Sequence, residues 1–241
     1  MPITRLKVKL LAATPEPETI VSMGARLCYS DAGIDQLREA GAKPSLIRHL
    51  MDMGHLSPVE HASFTFGIEG VSRVLLAQIS RHRIASFSVQ SQRYVRPSEG
   101  KDEFTYILPP AIEALGEDAI GEFMAQMTTM QGWYAGWIKR LGGGGESSNE
   151  DARFVLPGAC DTKMIMTMNA RELMHFFTLR CCNRAQWEIR ALAWEMLAIC
   201  MKEAPVLFEN AGPSCVSGAC AEGNMSCGKA PQVMRRHKQM V

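Results

Sequence analysis

The amino-acid sequence predicts an α+β fold, a mixed sheet packed with long helices, and three observations carry that prediction. Short segments whose side chains alternate between apolar and polar read as strands. Much longer stretches with helical spacing separate them. Strands and helices do not follow each other in the regular order of a doubly wound sheet. The chain has 241 residues, 46% hydrophobic and 21% charged, enough to bury a substantial core.

Residues 5–13 alternate as a strand and stop near Thr14-Pro15. Residues 17–28 and 34–53 read as helices, the second interrupted around Gly41–Pro44. Ser57, Pro58 and Glu60 fit a capping box with proline at the first helical position. Only a short turn can follow, because Ser63–Glu69 alternates again as a strand. Ser72–Arg81 reads as a helix with Gln78 and Arg81 on one side. The Ser/Gln-rich stretch from Arg83 to Tyr94 reads as a loop. Residues 110–141 are expected to be helical, with an apolar stripe from Ile112 through Leu115, Ile120, Phe123, Met127 and Trp133 to Leu141. Gly142–Gly145 then break the chain and mark the expected internal boundary. Residues 162–168 read as a strand, and Asn169 with Glu172 as a helix cap. That helix is expected to run to about Arg180, and another to span 184–204, with Trp187 packed in it. The terminal MRRHKQ reads as a solvated tail.

Composition narrows the function classes. There is no apolar run of about 18 residues, so no membrane-spanning helix is expected. The N-terminus lacks the features of a secretory signal, which points to the cytoplasm. Eight cysteines are too sparse for a secreted disulfide scaffold and are expected to be reduced thiols. His55 and His61 lack further ligands, and Cys215, Cys220 and Cys227 lack the paired spacing of a zinc ribbon, so no metal is expected. Net charge is +1, which argues against a nucleic-acid partner. Yet Arg73–Arg96 holds five arginines and His82 with no Asp or Glu. A neutral protein with one cationic segment suggests a small anionic ligand.

Arg81-His82-Arg83 flanks an imidazole with two guanidiniums at a helix end. Such a group can fork onto phosphate or ring carbonyls, or simply form a solvated basic surface favoured by the helix dipole. After seven intervening residues stand Ser91, Gln92 and Arg93. A hydroxyl, an amide and a guanidinium in one loop can hold a nucleotide's phosphate and sugar.

Arg81-His82-Arg83, seven residues, then Ser91-Gln92-Arg93 resembles the signature of the flavin-dependent thymidylate synthases. Four further blocks resemble the family in order. They are Gly54-His55 through Ser57-Pro58, Glu60-His61 and Phe64-Thr65-Phe66; then Gln78; then Ala152–Pro157; then Asn169–Leu173 with Leu179-Arg180 and Ala185–Ile189. The resemblance covers roughly residues 5–210. It implies one family domain over 1–211, with residues 212–241 as a Cys-rich, basic tail.

The resemblance implies reductive methylation of dUMP to dTMP. Methylenetetrahydrofolate would supply the carbon and FAD, reduced by NADPH, the hydride. It also implies a homotetramer with active sites shared between subunits. For dUMP it implies Gln78, Ile79, Ser80 and Arg81, then Val89, Gln90, Ser91, Gln92 and Arg93, then Arg153 and Arg180. For FAD it implies Ser57, Arg81, His82, Arg83 and Val89, then Asn169, Ala170, Arg171 and His175. Arg180 matches the position expected to activate the uracil ring, a task suited to a side chain that stays charged. Ser91 is assigned positioning, since no general base is visible beside it. Thymidylate synthases that work without flavin use a cysteine within a Pro-Cys pair, and no Pro-Cys dipeptide occurs here. Three positions depart from the pattern: Val89 where the family is often polar, His175 where some members have asparagine, and Arg184 where some have histidine. Two other readings compete. A relative that has lost catalysis is disfavoured by Arg81, Ser91, Arg93, Arg153 and Arg180 being present together, and a nucleic-acid binder by the lack of stacking aromatics.

Overall fold

A computed structural model describes residues 3–97 and 104–240. Four strands form one sheet: β1 (Lys7–Ala13), β2 (Ser63–Ser72), β3 (Ser86–Val89) and β4 (Asp161–Asn169), in the order β1-β2-β4-β3. Thr14 N donates to Ser63 O, and Gly70 lies against Arg5 O, so β1 and β2 run antiparallel. Thr65 Oγ1 meets Thr167 Oγ1 at 2.9 Å and Arg73 N donates to Cys160 O, so β2 and β4 do too. These pairs are antiparallel where a mixed sheet was expected. The strand β3 was expected as loop. Its residues Ser86, Val89 and Ser88 are exposed at the sheet edge, so no buried apolar face marks it in the sequence.

The chain folds into two compact units. Unit 1 holds Met1–Lys7, Ile68–Arg81 and Ser88–Ile165. Its helices are α4 (Arg73–Ile79), α5 (Pro110–Glu113), α6 (Glu117–Arg140) and α7 (Glu146–Ala152). Ser72 caps α4, its Oγ accepting from Leu75 N at 3.2 Å. The helix stops at Ile79, so Arg81 lies just past its end. The expected helix over 110–141 is two helices, because Gly116 takes a φ of +98° between them. The buried face of α6 is Met127, Tyr134 and Ile138. Trp133, Leu115 and Leu141, expected on the inner stripe, are exposed. Their positions fit the helical period, but the face that packs against Phe104, Tyr106 and Cys160 is rotated away from them. Gly142–Gly145 connect α6 to α7 inside this unit and do not divide it. Gly70 carries a φ of +68°, and a Cβ there would stand 2.0 Å from Arg5 O, so only glycine fits.

Unit 2 holds Val8–Gly67, His82–Phe87 and Met166–Val241. Its helices are α1 (Pro17–Leu27), α2 (Ile34–Glu39), α3 (Pro44–Asp52), α8 (Ala170–Arg180), α9 (Trp187–Glu203), α10 (Pro205–Phe208) and α11 (Ala230–Lys238). Ile189, Leu192, Ala193, Met196, Leu197, Cys200 and Met201 follow helical spacing and make one face of α9 fully apolar and buried. Gln186 Oε1 caps this helix by accepting from Glu188 N and Ile189 N, so it starts three residues later than expected. Trp187, its first residue, is half-buried. A chain of edge-to-face rings runs Phe64–Phe208–Phe177–Phe176, with successive centroids 5.4, 6.1 and 5.8 Å apart. The terminal basic segment is not a solvated tail. It forms α11, with Val233 and His237 buried and Arg236 stacked 4.4 Å from the Trp194 ring centre. Among the described residues, no helix is long and apolar enough to cross a membrane.

Candidate active site

Helix α8 sets the geometry in unit 2. Asn169 Oδ1 accepts from Glu172 N at 2.8 Å and starts the helix, as the capping signature predicts. Ala170, Leu173, Phe176 and Phe177 point inward and are fully buried. The opposite face carries Arg171, Met174, His175 and Thr178, spaced one helical turn apart. Those four, with Asn169, Glu172, Leu56, Glu60 and Ile84, line a cleft of about 630 Å³. That volume suits a cofactor-sized ligand. Leu56, Ile84 and Met174 offer apolar surface to a flat ring, and Arg171, His175 and Asn169 offer polar groups. Ser57 and Arg83 are exposed and do not line this cleft.

The capping box at Ser57 does not form. Ser57 has helical backbone angles, its side chain makes no cap bond, and Pro58–His61 make one short 3₁₀ turn. Such a turn lacks the ring of free amides that a box serves. Glu60, its expected third member, instead forms an ion pair with Arg171 on the cleft wall.

Between the exposed Arg81 and Arg83, His82 turns inward and is 5% exposed. Its ring packs edge-to-face on Phe176, centroids 4.9 Å apart. Arg180 Nε donates to His82 Nε2 at 3.0 Å, and Glu172 Oε1 lies 3.2 Å from His82 Nδ1. The Arg180 N–H can only donate, so Nε2 is the bare nitrogen and Nδ1–H donates to Glu172. Glu172, His82 and Arg180 thus form a line that orients the guanidinium. Burial is the main cause that lowers the His82 pKa below 6.5; the Glu172 hydrogen bond opposes it, and nearby Arg180 adds to it. Burial likewise lowers His237, whose ring bonds Ala211 O at 2.9 Å.

The sign of the resulting pH dependence follows. Below about pH 6.5 the unfolded chain binds a proton at each of these histidines before the folded chain does. Stability contributed by the neutral rings is therefore complete above that pH and is lost on acidification, down to the folded pKa values. Thermal unfolding followed from pH 8 to pH 5 should show a falling midpoint below about pH 6.5. The His237→Asn variant should fall less steeply, and a slope identical to the parent's would refute the assignment.

Unit 1 gathers the other predicted groups. Ser91 Oγ accepts from Arg93 N at 3.2 Å, and Gln92 Nε2 reaches Cys160 Sγ at 3.6 Å. Burial raises the Cys160 thiol to about 11, so it stays protonated. Arg93 forms ion pairs with Glu146 and Glu150 of α7. Arg153 Nε donates to Glu150 O at 3.1 Å, just beyond the same helix. Gln90 and Gln92 line a cavity of about 210 Å³ with Arg96, Thr105, Asp161 and Lys163. Gln78 is half-buried and Ser80 exposed, while Ile79 is buried in the core, so its side chain faces away from any ligand. Val89 is 37% exposed on β3.

Sequence reasoning placed Glu60 and Glu172 only in caps and left out Ile84 and Thr178. The helical spacing of 171, 175 and 178 is the signal that identifies Thr178. A buried glutamate three residues into a helix, with a histidine available far along the chain, has no sequence signature.

The fold and the two constellations define an α+β protein with a cofactor-sized cleft in one unit and an arginine-bearing polar loop in the other. The family model described as "Thymidylate synthase complementing protein" matches residues 9–206. A flavin-dependent thymidylate synthase of Geobacter sulfurreducens is 50% identical, over 98% of this chain and 99% of its own. One from Clostridium tetani is 48% identical, over 95% and 96%. The chain belongs to the flavin-dependent thymidylate synthase family. Among solved structures, a crystal structure of a UMP/dUMP methylase PolB from Streptomyces cacaoi bound with 5-Br dUMP superposes with a TM-score of 0.71. It covers 87% of this chain and 96% of its own at 24% identity, and so shares the fold.

Proposed function

We propose that this chain converts dUMP to dTMP in the cytoplasm, as a homotetramer whose active sites draw on more than one subunit. The observation that carries the reading is the grouping of Asn169, Arg171 and His175 on one 630 Å³ cleft, within a chain of this family. Leu56, Ile84 and Met174 would give FAD an apolar surface, and Asn169, His175 and Arg171, the last released from its ion pair with Glu60, would give it polar contacts. Bound there, FAD supplies hydride transfer chemistry, with NADPH as reductant and methylenetetrahydrofolate as carbon donor.

The chain's own residues do the rest. Arg81, Ser91 and Arg93 bind the anionic end of dUMP through charge-assisted hydrogen bonds. Gln78, Gln90, Gln92 and Arg153 set the orientation of its sugar and base. Backbone groups at Ile79, Ser80, Val89 and Ala170 provide the remaining contacts, while Ser57, His82 and Arg83 belong with the FAD set. Arg180 stabilises negative charge developing on the uracil ring, which raises the nucleophilicity of C5. Its orientation by His82 means that little reorganisation is needed as charge develops. No cysteine attacks the ring.

The test uses the purified full chain. A flavin spectrum bleached by NADPH, together with tritium release from 5-³H-dUMP that requires methylenetetrahydrofolate, is expected. A flavin-loaded protein that releases no tritium under those conditions would sink the catalytic reading and leave a flavin-binding relative.

A further inference from the structure

Glu172 is a buried carboxylate that the dUMP and FAD assignments leave unused. It is 8% exposed, in the first turn of α8. The helix dipole favours a carboxylate near a helix N-terminus, and that accounts for its place in the turn. It does not account for the burial, which costs free energy unless the group is partnered. The partner is His82, 90 residues away in the chain, whose Nδ1 lies 3.2 Å from Glu172 Oε1. The far side of the same ring meets the guanidinium assigned to the uracil: Arg180 Nε donates to His82 Nε2 at 3.0 Å. All three residues belong to unit 2.

A neutral imidazole has two tautomers, and they differ in what they offer Arg180. With the proton on Nδ1, Nε2 is bare and accepts the Arg180 N–H. With the proton on Nε2, two N–H groups meet and the bond is lost. The imidazolium carries protons on both nitrogens and adds like-charge repulsion. The ring is buried against Phe176, so the carboxylate at Nδ1, and not bulk water, makes the choice. Among the described residues, the titratable and charged groups that face the ring are Glu172, Arg180 and His175, the last with its ring centre 6.2 Å away. Arg81 and Arg83 flank it in the chain and are exposed.

We propose that Glu172 is a positioning residue for the reaction: by accepting the Nδ1 proton of His82 it fixes the tautomer that holds Arg180, and turnover falls when the ring takes up a second proton. The inference rests on the role proposed for Arg180 at the uracil ring. Glu172 acts through His82 and not on the substrate. Burial is the main cause that keeps the ring's pKa below 6.5, and the Glu172 hydrogen bond opposes it. The hold on Arg180 is therefore complete at pH 8 and is lost on acidification below about pH 6.5. Removing the charge of Glu172 takes away part of what favours the imidazolium, so the acid limb of kcat then moves to lower pH.

The test is steady-state kinetics of the purified full chain at saturating FAD, from pH 8 to pH 5, with ¹⁵N NMR of the imidazoles. At pH 8 His82, assigned by its absence from the His82→Gln spectrum, is expected as the Nδ1–H tautomer. Glu172→Leu, which keeps the size and removes the acceptor, should lower kcat by about 10–10²-fold with KM for dUMP little changed. Glu172→Gln, whose amide oxygen can still accept, should keep more of the rate and shift the acid limb to lower pH. In an Arg180→Ala background, Glu172→Leu should lower kcat no further. Circular dichroism in the far ultraviolet shows that the variants are folded. A parent that releases no tritium would overturn the dUMP reading and this inference with it; the tautomer, read without turnover, tells that failure from one confined to Glu172. The proposal is overturned by an Nε2–H ring in the parent at pH 8, by a Glu172→Leu variant that turns over at the parent's rate, by equal losses with and without Arg180, or by an acid limb that Glu172→Gln leaves in place.

Discussion

Replacing Arg180 by alanine is expected to lower kcat for dTMP formation by about 10²–10³-fold, with flavin content close to the parent's. The magnitude is that of removing one preorganised donor aimed at developing charge. The guanidinium is held by His82 at 3.0 Å, and His82 by Glu172 at 3.2 Å, so its orientation is fixed before substrate arrives. Arg180→Lys keeps the charge but loses the Nε–H that meets His82, and should recover only part of the rate. Steady-state kinetics on both variants decide the matter. Full turnover in the alanine variant would remove Arg180 from the mechanism. A large rise in KM with kcat unchanged would make it a binding residue only.

The second large effect is on stability. Phe177 is fully buried, and its ring touches both Phe176 and Phe208. Phe177→Ala should cost about 3–5 kcal/mol, the transfer term plus the cavity left in a ring cluster that cannot collapse. In a chain of this size that is roughly a 6–20 °C fall in Tm by calorimetry. Trp133→Ala is the contrasting case. Trp133 is 57% exposed and should change stability by no more than about 0.5 kcal/mol. Similar losses for the two variants would mean that the packing of α6 and α8 is misassigned.

That contrast shows what the sequence discloses and what it hides. Strands with a buried alternate face, such as β2 and β4, were legible because Phe64, Phe66, Met164 and Met166 repeat every second residue. The edge strand β3 was not, since its side chains are mostly exposed and its pairing comes from backbone alone. Helix α8 was bounded correctly at both ends because Asn169 caps it through a local bond. The phase of α6 was misjudged because Trp133 and Tyr134 are equally hydrophobic candidates and only the partner surface chooses Tyr134. At the candidate site, the residues that form short motifs were visible. The bonds Glu172–His82 and Glu60–Arg171 join positions 90 and 111 residues apart, and no local spacing announces them.

The way His82 is held has one more consequence. Its Nε2 faces a guanidinium proton that arginine does not release in water. Its Nδ1 proton is directed at a carboxylate. A relay would have to take a proton up at Nε2 and release one from Nδ1, and Nε2 is occupied by an N–H that arginine does not give up. The imidazole is therefore a closed end for proton traffic: in this arrangement it orients the guanidinium and does not relay protons.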